Sequence, residues 1–434
     1  MAYTILNGNN IQVLKTFPDN HFDSIVTDPP YGIDFLGKDW DVNTGALETY
    51  QECLRVLKPG GHILAFSAAR TYHHLAITLE QAGFEIRDQI MWIYSSGFPK
   101  SQDVGKSIQR SEKKTKGRLG PLYTPAQGNP KITACEVCGA GNGVLKASKC
   151  LQDPCPFKEI ALPADNAWAG WGTQLKPAHE PIAVARKPLD TGLSIARNCQ
   201  QWGVGALNID ATRVPYKDPA EAAAYMEWMR KYPGSTGSKA TFNNILSEAQ
   251  GKERLNKGQA EVLEDREALI QSRANGRFPS NVIGEIAEPY QKYFYCPKVS
   301  RRERHVGFDT ANIPQIGSTH PDDVKKHPLW DPSIGGNPAR LKQKIIDSGT
   351  FKGNNHPTVK PIELMKYLVR LVTPAGGHVL DPFNGSGSTG CAAVELDYDY
   401  TGIELDPAYV EIAERRIAAW YATTHPLEAT GLFE

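Results

Sequence analysis

Two short stretches at opposite ends of this 434-residue chain carry residue types at spacings that can do chemistry. The first is Asp28-Pro29-Pro30-Tyr31; the second is Asp381-Pro382-Phe383-Asn384-Gly385-Ser386-Gly387-Ser388-Thr389-Gly390. An exocyclic amine on a base is a poor nucleophile, because its lone pair is conjugated into the ring. Making it react requires fixed acceptors for its N–H groups. Asp28 offers a carboxylate, and Pro29 offers a carbonyl held rigid by the two prolines. Tyr31 adds a ring face on which a base can stack. The second stretch fits G-x-G-x-x-G, and an acid, Glu404, follows at about the 20-residue distance of a carboxylate that holds ribose hydroxyls. The pair points to methyl transfer from a nucleoside cofactor to an amino group of a base, by positioning and electrostatics rather than by a covalent nucleophile.

Both stretches need elements to hold them. Ser24–Thr27 and His378–Leu380 are short apolar runs that predict buried strands, so each stretch sits at a strand's carboxyl end, where open α/β sheets bind ligands. Around the first, Asp23–Asp28, His62–Ser67 and Ile86–Tyr94 read as strands, and Leu47–Leu57 and Arg70–Ala82 as helices. Lys58-Pro59-Gly60-Gly61 reads as a stop and turn. Pro181–Leu189 predicts a further strand and Glu221–Tyr232 a helix. The segment from about 190 to 350 is otherwise polar and irregular, with a flexible link at Pro233–Ser238, and a charged stretch at Glu248–Ala274 that reads as a solvated helix or a partly disordered arm. From His356 the α/β pattern returns. Pro361 opens a helix whose Ile362, Met365, Leu368, Val369 and Val372 share one face; then follow the glycine loop, a helix (Gly387–Leu396), a strand (Tyr400–Glu404) and a helix (Ala408–Trp420). The two ends therefore read as halves of one sheet with the middle inserted between them.

Composition narrows the partners. Lys+Arg and Asp+Glu are 48 each, so nucleic acid would have to be met by a local basic patch. Candidate phosphate tracks are the basic residues of Lys100–Arg118 and the run Lys298-Val-Ser-Arg301-Arg302-Glu-Arg304-His305; solvated faces are the alternative. Tyr290, Tyr293, Phe294 and Tyr295, just before the second run, are either stacking platforms or strand core. No apolar run is long enough to span a bilayer, the N-terminus lacks a signal-peptide pattern, and a cytoplasmic setting is expected, with no membrane partner. In that setting the eight cysteines are thiols or metal ligands. Cys135-x2-Cys138-x11-Cys150-x4-Cys155, with glycines beside the first pair, suits a tetrahedral structural zinc site; free surface thiols are the alternative. Cys53, Cys199, Cys296 and Cys391 are scattered and read as packed or inert.

The chain resembles the permuted beta group of AdoMet-dependent DNA amino-methyltransferases, in which the catalytic turn comes first, a target-recognition region follows and the cofactor loop comes last. Beyond the two stretches, the resemblance covers Ser96-Gly97-Phe98-Pro99-Lys100-Ser101, His179-Glu180-Pro181-Ile182, Asn355-His356-Pro357-Thr358-Val359-Lys360-Pro361, Gly402-Ile403-Glu404, and Asp406-Pro407 with Tyr409. It implies a Rossmann-like methyltransferase sheet with an inserted target-recognition region and a small zinc-ribbon-like insert. The implied division is a catalytic half at 1–110, a zinc-knuckle insert at 111–167, a core strand region at 168–190, target recognition at 191–350 and an AdoMet-binding half at 351–434. Asp28, Pro29, Pro30 and Tyr31 would be the catalytic turn. Asp381, Phe383, Gly385 and Gly387 would surround the methionine part of S-adenosyl-L-methionine, Asn384 and Thr389 would belong to the same site, and Glu404 would hold the ribose. Thr358 and Lys360, ahead of a helix start, would help bind the cofactor carboxylate. Where the family has Gly-Asp before the catalytic strand, this chain has Asn7-Gly8-Asn9, leaving Asn9 as the adenine contact. The implied reaction is site-specific transfer to adenine N6 of a flipped base in double-stranded DNA, since the aspartate form of the turn leans to adenine; cytosine N4 is the alternative. The resemblance also allows a homodimer. A nicotinamide-dependent dehydrogenase fits Gly385–Gly390 but leaves Asp28–Tyr31 unexplained.

Overall fold

The computed structural model describes residues 1–33, 43–94, 101–108, 168, 170–216, 218–231, 270–271, 273–284, 299–308, 344–345 and 353–426. The chain divides into two compact units, one made of residues 1–95 and 179–434, the other of 96–178. In the smaller unit, Asp103 and Gly172 form an antiparallel bridge, and the Val104 N–H donates to the Trp171 carbonyl at 3.0 Å.

The larger unit is built on one eight-stranded sheet. In chain order its strands are β1 (Tyr3–Asn7), β2 (Phe22–Thr27), β3 (Leu57–Phe66), β4 (Glu85–Ile93), β5 (His179–Arg186), β6 (Val282–Gly284), β7 (His378–Asp381) and β8 (Asp399–Glu404). Their spatial order is β1-β8-β7-β2-β3-β5-β4-β6. The first five in that order are parallel to their neighbours, β5 runs antiparallel to both β3 and β4, and β6 is parallel to β4. The two chain ends thus share one sheet, with C-terminal β7 between N-terminal β2 and β8.

The alternation of strand side chains decides the layers. Val26, Leu64, Phe66, Ile182, Val184 and Val379 face a core shared with helices α7 (Ile362–Val372), α8 (Ser388–Glu395) and α9 (Pro407–Thr424). Their neighbours Ile25, Ile63, Ala65, Ala183, Ala185 and Leu380 face the opposite core, shared with α1 (Asn10–Leu14), α2 (Leu47–Val56) and α3 (Tyr72–Ala82). A sheet covered on both faces is what these near-continuous apolar strands require. Helices α4 (Ile195–Trp202), α5 (Pro219–Lys231) and α6 (Arg301–Arg304) follow from the inserted middle. No helix among the described residues is long and apolar enough to cross a membrane.

Lys58-Pro59-Gly60-Gly61 is not the expected turn. These residues lie inside β3 as an irregularity, between Leu57 paired with Phe22 and His62 paired with Ser24. Gly60, at φ +81°, is there because a Cβ would come within 2.4 Å of the Asn198 amide nitrogen, which caps the Pro59 and Val204 carbonyls at 2.9 and 2.7 Å. The strand continues through backbone bonds to the chain just after β5: the Gly60 N–H donates to the Lys187 carbonyl at 3.1 Å and the Lys187 N–H to the Gly61 carbonyl at 2.9 Å.

Candidate functional site

Parallel β2 and β7 are direct neighbours, with Ser24 level with Val379 and Ile25 with Leu380, so their carboxyl ends emerge side by side. Asp28 follows the last residue of β2, and Asp381 ends β7. A hydrogen bond joins the two stretches: Thr27 Oγ1 donates to Asp381 Oδ1 at 2.6 Å. Thr389 Oγ1 donates to Asp381 Oδ2 at 2.7 Å, and the Phe383 N–H to Oδ1 at 3.1 Å. Asp381 is therefore buried and satisfied from within the protein. Burial pushes its carboxyl up to about 6, against the Thr27 and Thr389 hydroxyls. Its role here is to tie the glycine loop to the strand that carries Asp28.

The loop owes its shape to packing as much as to openness. Gly385 and Gly387 have φ of +51° and +77°, in the left-handed region. A Cβ on Gly385 would come within 2.9 Å of His356 Nε2, and one on Gly387 within 3.0 Å of the Ile417 side chain. Asn384 is buried, its amide oxygen accepting from Tyr400 OH at 2.7 Å. Beneath the loop lies Arg416 of α9, fully buried. Its Nη1 donates to the Ser386 carbonyl at 2.5 Å and to the Ser386 Oγ at 3.1 Å, and its Nη2 to the Glu303 carbonyl at 3.3 Å. Nothing in the sequence marks Arg416: an arginine in an amphipathic helix reads as surface.

What stays open is a rim at the carboxyl ends of β1, β7 and β8. Phe383, Gly385 and Glu404 are half-buried there, and Asn9 is exposed. Glu404 Oε2 accepts from the Gly385 N–H at 2.8 Å and Oε1 from the Asp406 N–H at 2.9 Å, while the Gly8 N–H reaches the Glu404 carbonyl at 2.9 Å. A carboxylate for hydroxyls, a ring face and a side-chain amide form a donor and acceptor set that fits a nucleoside. Asn9 is also the N-cap of α1, its oxygen accepting from the Ile11 and Gln12 N–H groups at 3.0 and 3.4 Å, so that oxygen is shared with the helix.

Lys360 is placed differently from the expectation of a cofactor-carboxylate contact. Its Nζ lies 2.5 Å from Asp28 Oδ2, 3.0 Å from Tyr31 OH and 3.4 Å from Glu180 Oε2. The start of α7 is likewise occupied: the Glu303 carboxylate accepts the Ile362 N–H. Thr358 is half-buried, its carbonyl 3.2 Å from His356 Nδ1. Two carboxylates outweigh burial and raise the Lys360 ammonium's pKa. Burial, with Glu180's charge added, raises Asp28 against the pull of Lys360. The Tyr31 hydroxyl, 2.8 Å from Asp28 Oδ1 and 2.9 Å from Glu180 Oε2, is raised well above its ordinary value by burial and by both acids, and is a donor. Pro29 is buried and Pro30 half-buried in the same turn. The second acid, Glu180, had no chemical role in the sequence reading. The antiparallel course of β5 puts its N-terminal end where β3 ends, and this brings Glu180 to Asp28.

The basic run at 298–305 divides. Arg304 Nη1 donates to the His356 carbonyl at 2.8 Å, and His305 Nδ1 accepts the Asn354 N–H at 3.2 Å, so both are internal braces; Arg301 and Arg302 are exposed. Cys135, Cys138, Cys150 and Cys155 lie outside the described residues, as do Tyr290 and residues 293–295. Among the described residues no group of three or more His, Cys, Asp or Glu could hold a metal.

Two curated proteins resemble this chain over limited stretches. The type II methyltransferase M.HpaI of Haemophilus parainfluenzae is 34% identical over 113 residues, 24% of this chain and 35% of its own length. The type II methyltransferase M2.MboI of Moraxella bovis is 44% identical over 61 residues, 14% of this chain and 22% of its own. The chain thus spans about a quarter to a third of the length of these curated relatives. A solved structure, the cytosine-N4-specific PvuII DNA methyltransferase, overlays 98% of this chain on 93% of its own at 12% identity and a TM-score of 0.40. The family model described as DNA methylase, N6_N4_Mtase, matches residues 22–415, most of the chain with both of its chemistry-bearing stretches, and the chain belongs to that family.

Proposed function

We propose that this protein transfers a methyl group from S-adenosyl-L-methionine to the N6 amine of an adenine flipped out of double-stranded DNA. The observation that carries this reading is the pairing of Asp28 with the glycine loop at adjacent strand ends, tied by Thr27 and Asp381 at 2.6 Å. AdoMet, when bound, supplies an electrophilic methyl group on a sulfonium. Glu404 would hold its ribose hydroxyls, Phe383 and Gly385 would flank it, and Asn9 would face its adenine. Asp28, with the Pro29 carbonyl, would hold the target N–H groups and draw electron density back onto the nitrogen. Asp28 also stands ready for the proton the nitrogen sheds as its pair moves to the methyl carbon and the carbon–sulfur pair stays on sulfur. Tyr31 would offer its ring to the flipped base. Adenine is preferred over cytosine on the aspartate form of the turn.

The test is transfer of tritium from labelled AdoMet to unmethylated genomic DNA, with the modified base identified by mass spectrometry. N6-methyladenine is the expected product. N4-methylcytosine would move the target while keeping the chemistry, and unlabelled DNA would overturn the reading.

A further inference from the structure

Tyr31 has one hydroxyl proton and two carboxylates to receive it, Asp28 at 2.8 Å and Glu180 at 2.9 Å. With one proton the hydroxyl serves one acid at a time, while its oxygen accepts from Lys360 at 3.0 Å. Lys360 stands between the same two acids, at 2.5 Å from one and 3.4 Å from the other. When the Tyr31 proton goes to Asp28, Asp28 carries a donor on each oxygen. A carboxylate so loaded is a weaker acceptor for an incoming amine, because both donors withdraw the electron density the amine would use. Glu180 is the alternative acceptor for both donors, and Tyr94 also hydrogen-bonds to it, which anchors its position. Exposure runs the same way. The Asp28 and Glu180 side chains are 18% and 20% exposed and Lys360 only 6%, so an amine can reach Asp28 from outside while the lysine stays beneath.

We infer that Glu180 is a positioning residue for methyl transfer: it takes the Tyr31 hydroxyl proton and shares the Lys360 ammonium, leaving Asp28 lone pairs open to the target amine. This rests on the methyl-transfer reading. Glu180 acts through Tyr31 and Lys360 and need not touch the base.

The test is a double-mutant cycle of Glu180→Gln and Tyr31→Phe, read as single-turnover tritium transfer from AdoMet to unmethylated genomic DNA across pH. Calorimetric AdoMet binding reports whether each variant keeps its fold. Glu180→Gln should slow transfer by about 10- to 100-fold, the worth of a hydrogen bond to a charged group, at unchanged AdoMet affinity. In the Tyr31→Phe background the same change should cost much less, because the proton that Glu180 receives is gone. The acid limb of the rate profile should move to lower pH in Glu180→Gln, since Glu180's charge holds the Asp28 carboxyl up. Strictly additive losses with an unmoved acid limb, or a normal rate in Glu180→Gln beside an active parent, would overturn the Glu180 assignment alone. No label transferred by the parent protein would overturn the methyl-transfer reading, and this inference with it.

Discussion

Asp28 and Asp381 end neighbouring strands, yet their surroundings give them opposite work. Asp28 keeps some exposure and is held by Lys360 and Tyr31, so it can meet a ligand. Asp381 is sealed and answered by two threonine hydroxyls, so it can only hold the loop. Asp28→Ala should therefore slow methyl transfer by about 100- to 1000-fold, the usual cost of one preorganised electrostatic partner, with AdoMet affinity unchanged in calorimetry. Asp381 makes a prediction about stability. Its folded value of about 6 lies above the ordinary carboxylate value, so the folded state binds the proton more tightly than the unfolded chain does. Its ionised form costs stability above that value, and the cost is relieved as pH falls through it toward the unfolded value. Relative to Asp381→Asn, which cannot titrate, the melting temperature of the parent protein should rise between about pH 7 and about pH 4.5. A difference that stays flat across that range would contradict the buried, titrating carboxyl.

Helix α6 has only four residues, but Glu303 gives it two functions. The side chain completes a capping box with Ser300 and accepts the first N–H of α7, while the Glu303 carbonyl receives Arg416 from under the glycine loop. A run that reads as a phosphate track is, at Arg304 and His305, a brace from α6 to the segment 354–356 that leads into α7. Glu303→Ala should cost about 0.5–2 kcal/mol of unfolding free energy, the range for a lost helix cap, measured by urea denaturation. At β8, Glu404→Ala should weaken AdoMet by about 1.5–3 kcal/mol, and calorimetry showing equal affinity would remove it from the ribose role. The Gly385 N–H, left without Glu404, would add a smaller loss of loop order that a melting curve would report.

For the molecule as a whole, the four cysteines at 135, 138, 150 and 155 keep their sequence expectation: protein purified without chelator should carry about one zinc per chain, and Cys138→Ser should release it while AdoMet affinity stays unchanged. Zinc-free protein would leave them as thiols. The sheet was legible because its strands are buried on both faces, and such strands write themselves as apolar runs ending at turn or glycine motifs, as β2 and β7 do. Strands β1 and β6 went unread: β1 is a half-exposed edge strand and β6 has three residues, so neither leaves a pattern above its surroundings. The residue types of the site were legible too, since a carboxylate beside two prolines and glycines before a helix carry local constraints. By itself the sequence determined that a carboxylate–proline turn and a glycine loop end two buried strands of an α/β chain. Only the tertiary structure decided which partners those residues have. It moved Lys360 onto Asp28, put Glu303 at the start of α7, placed Arg416 beneath the loop and brought Glu180 in from 152 residues beyond Asp28. The reason is that charge pairing depends on distances across the sheet edge, set by strand order and direction, and no local periodicity records these.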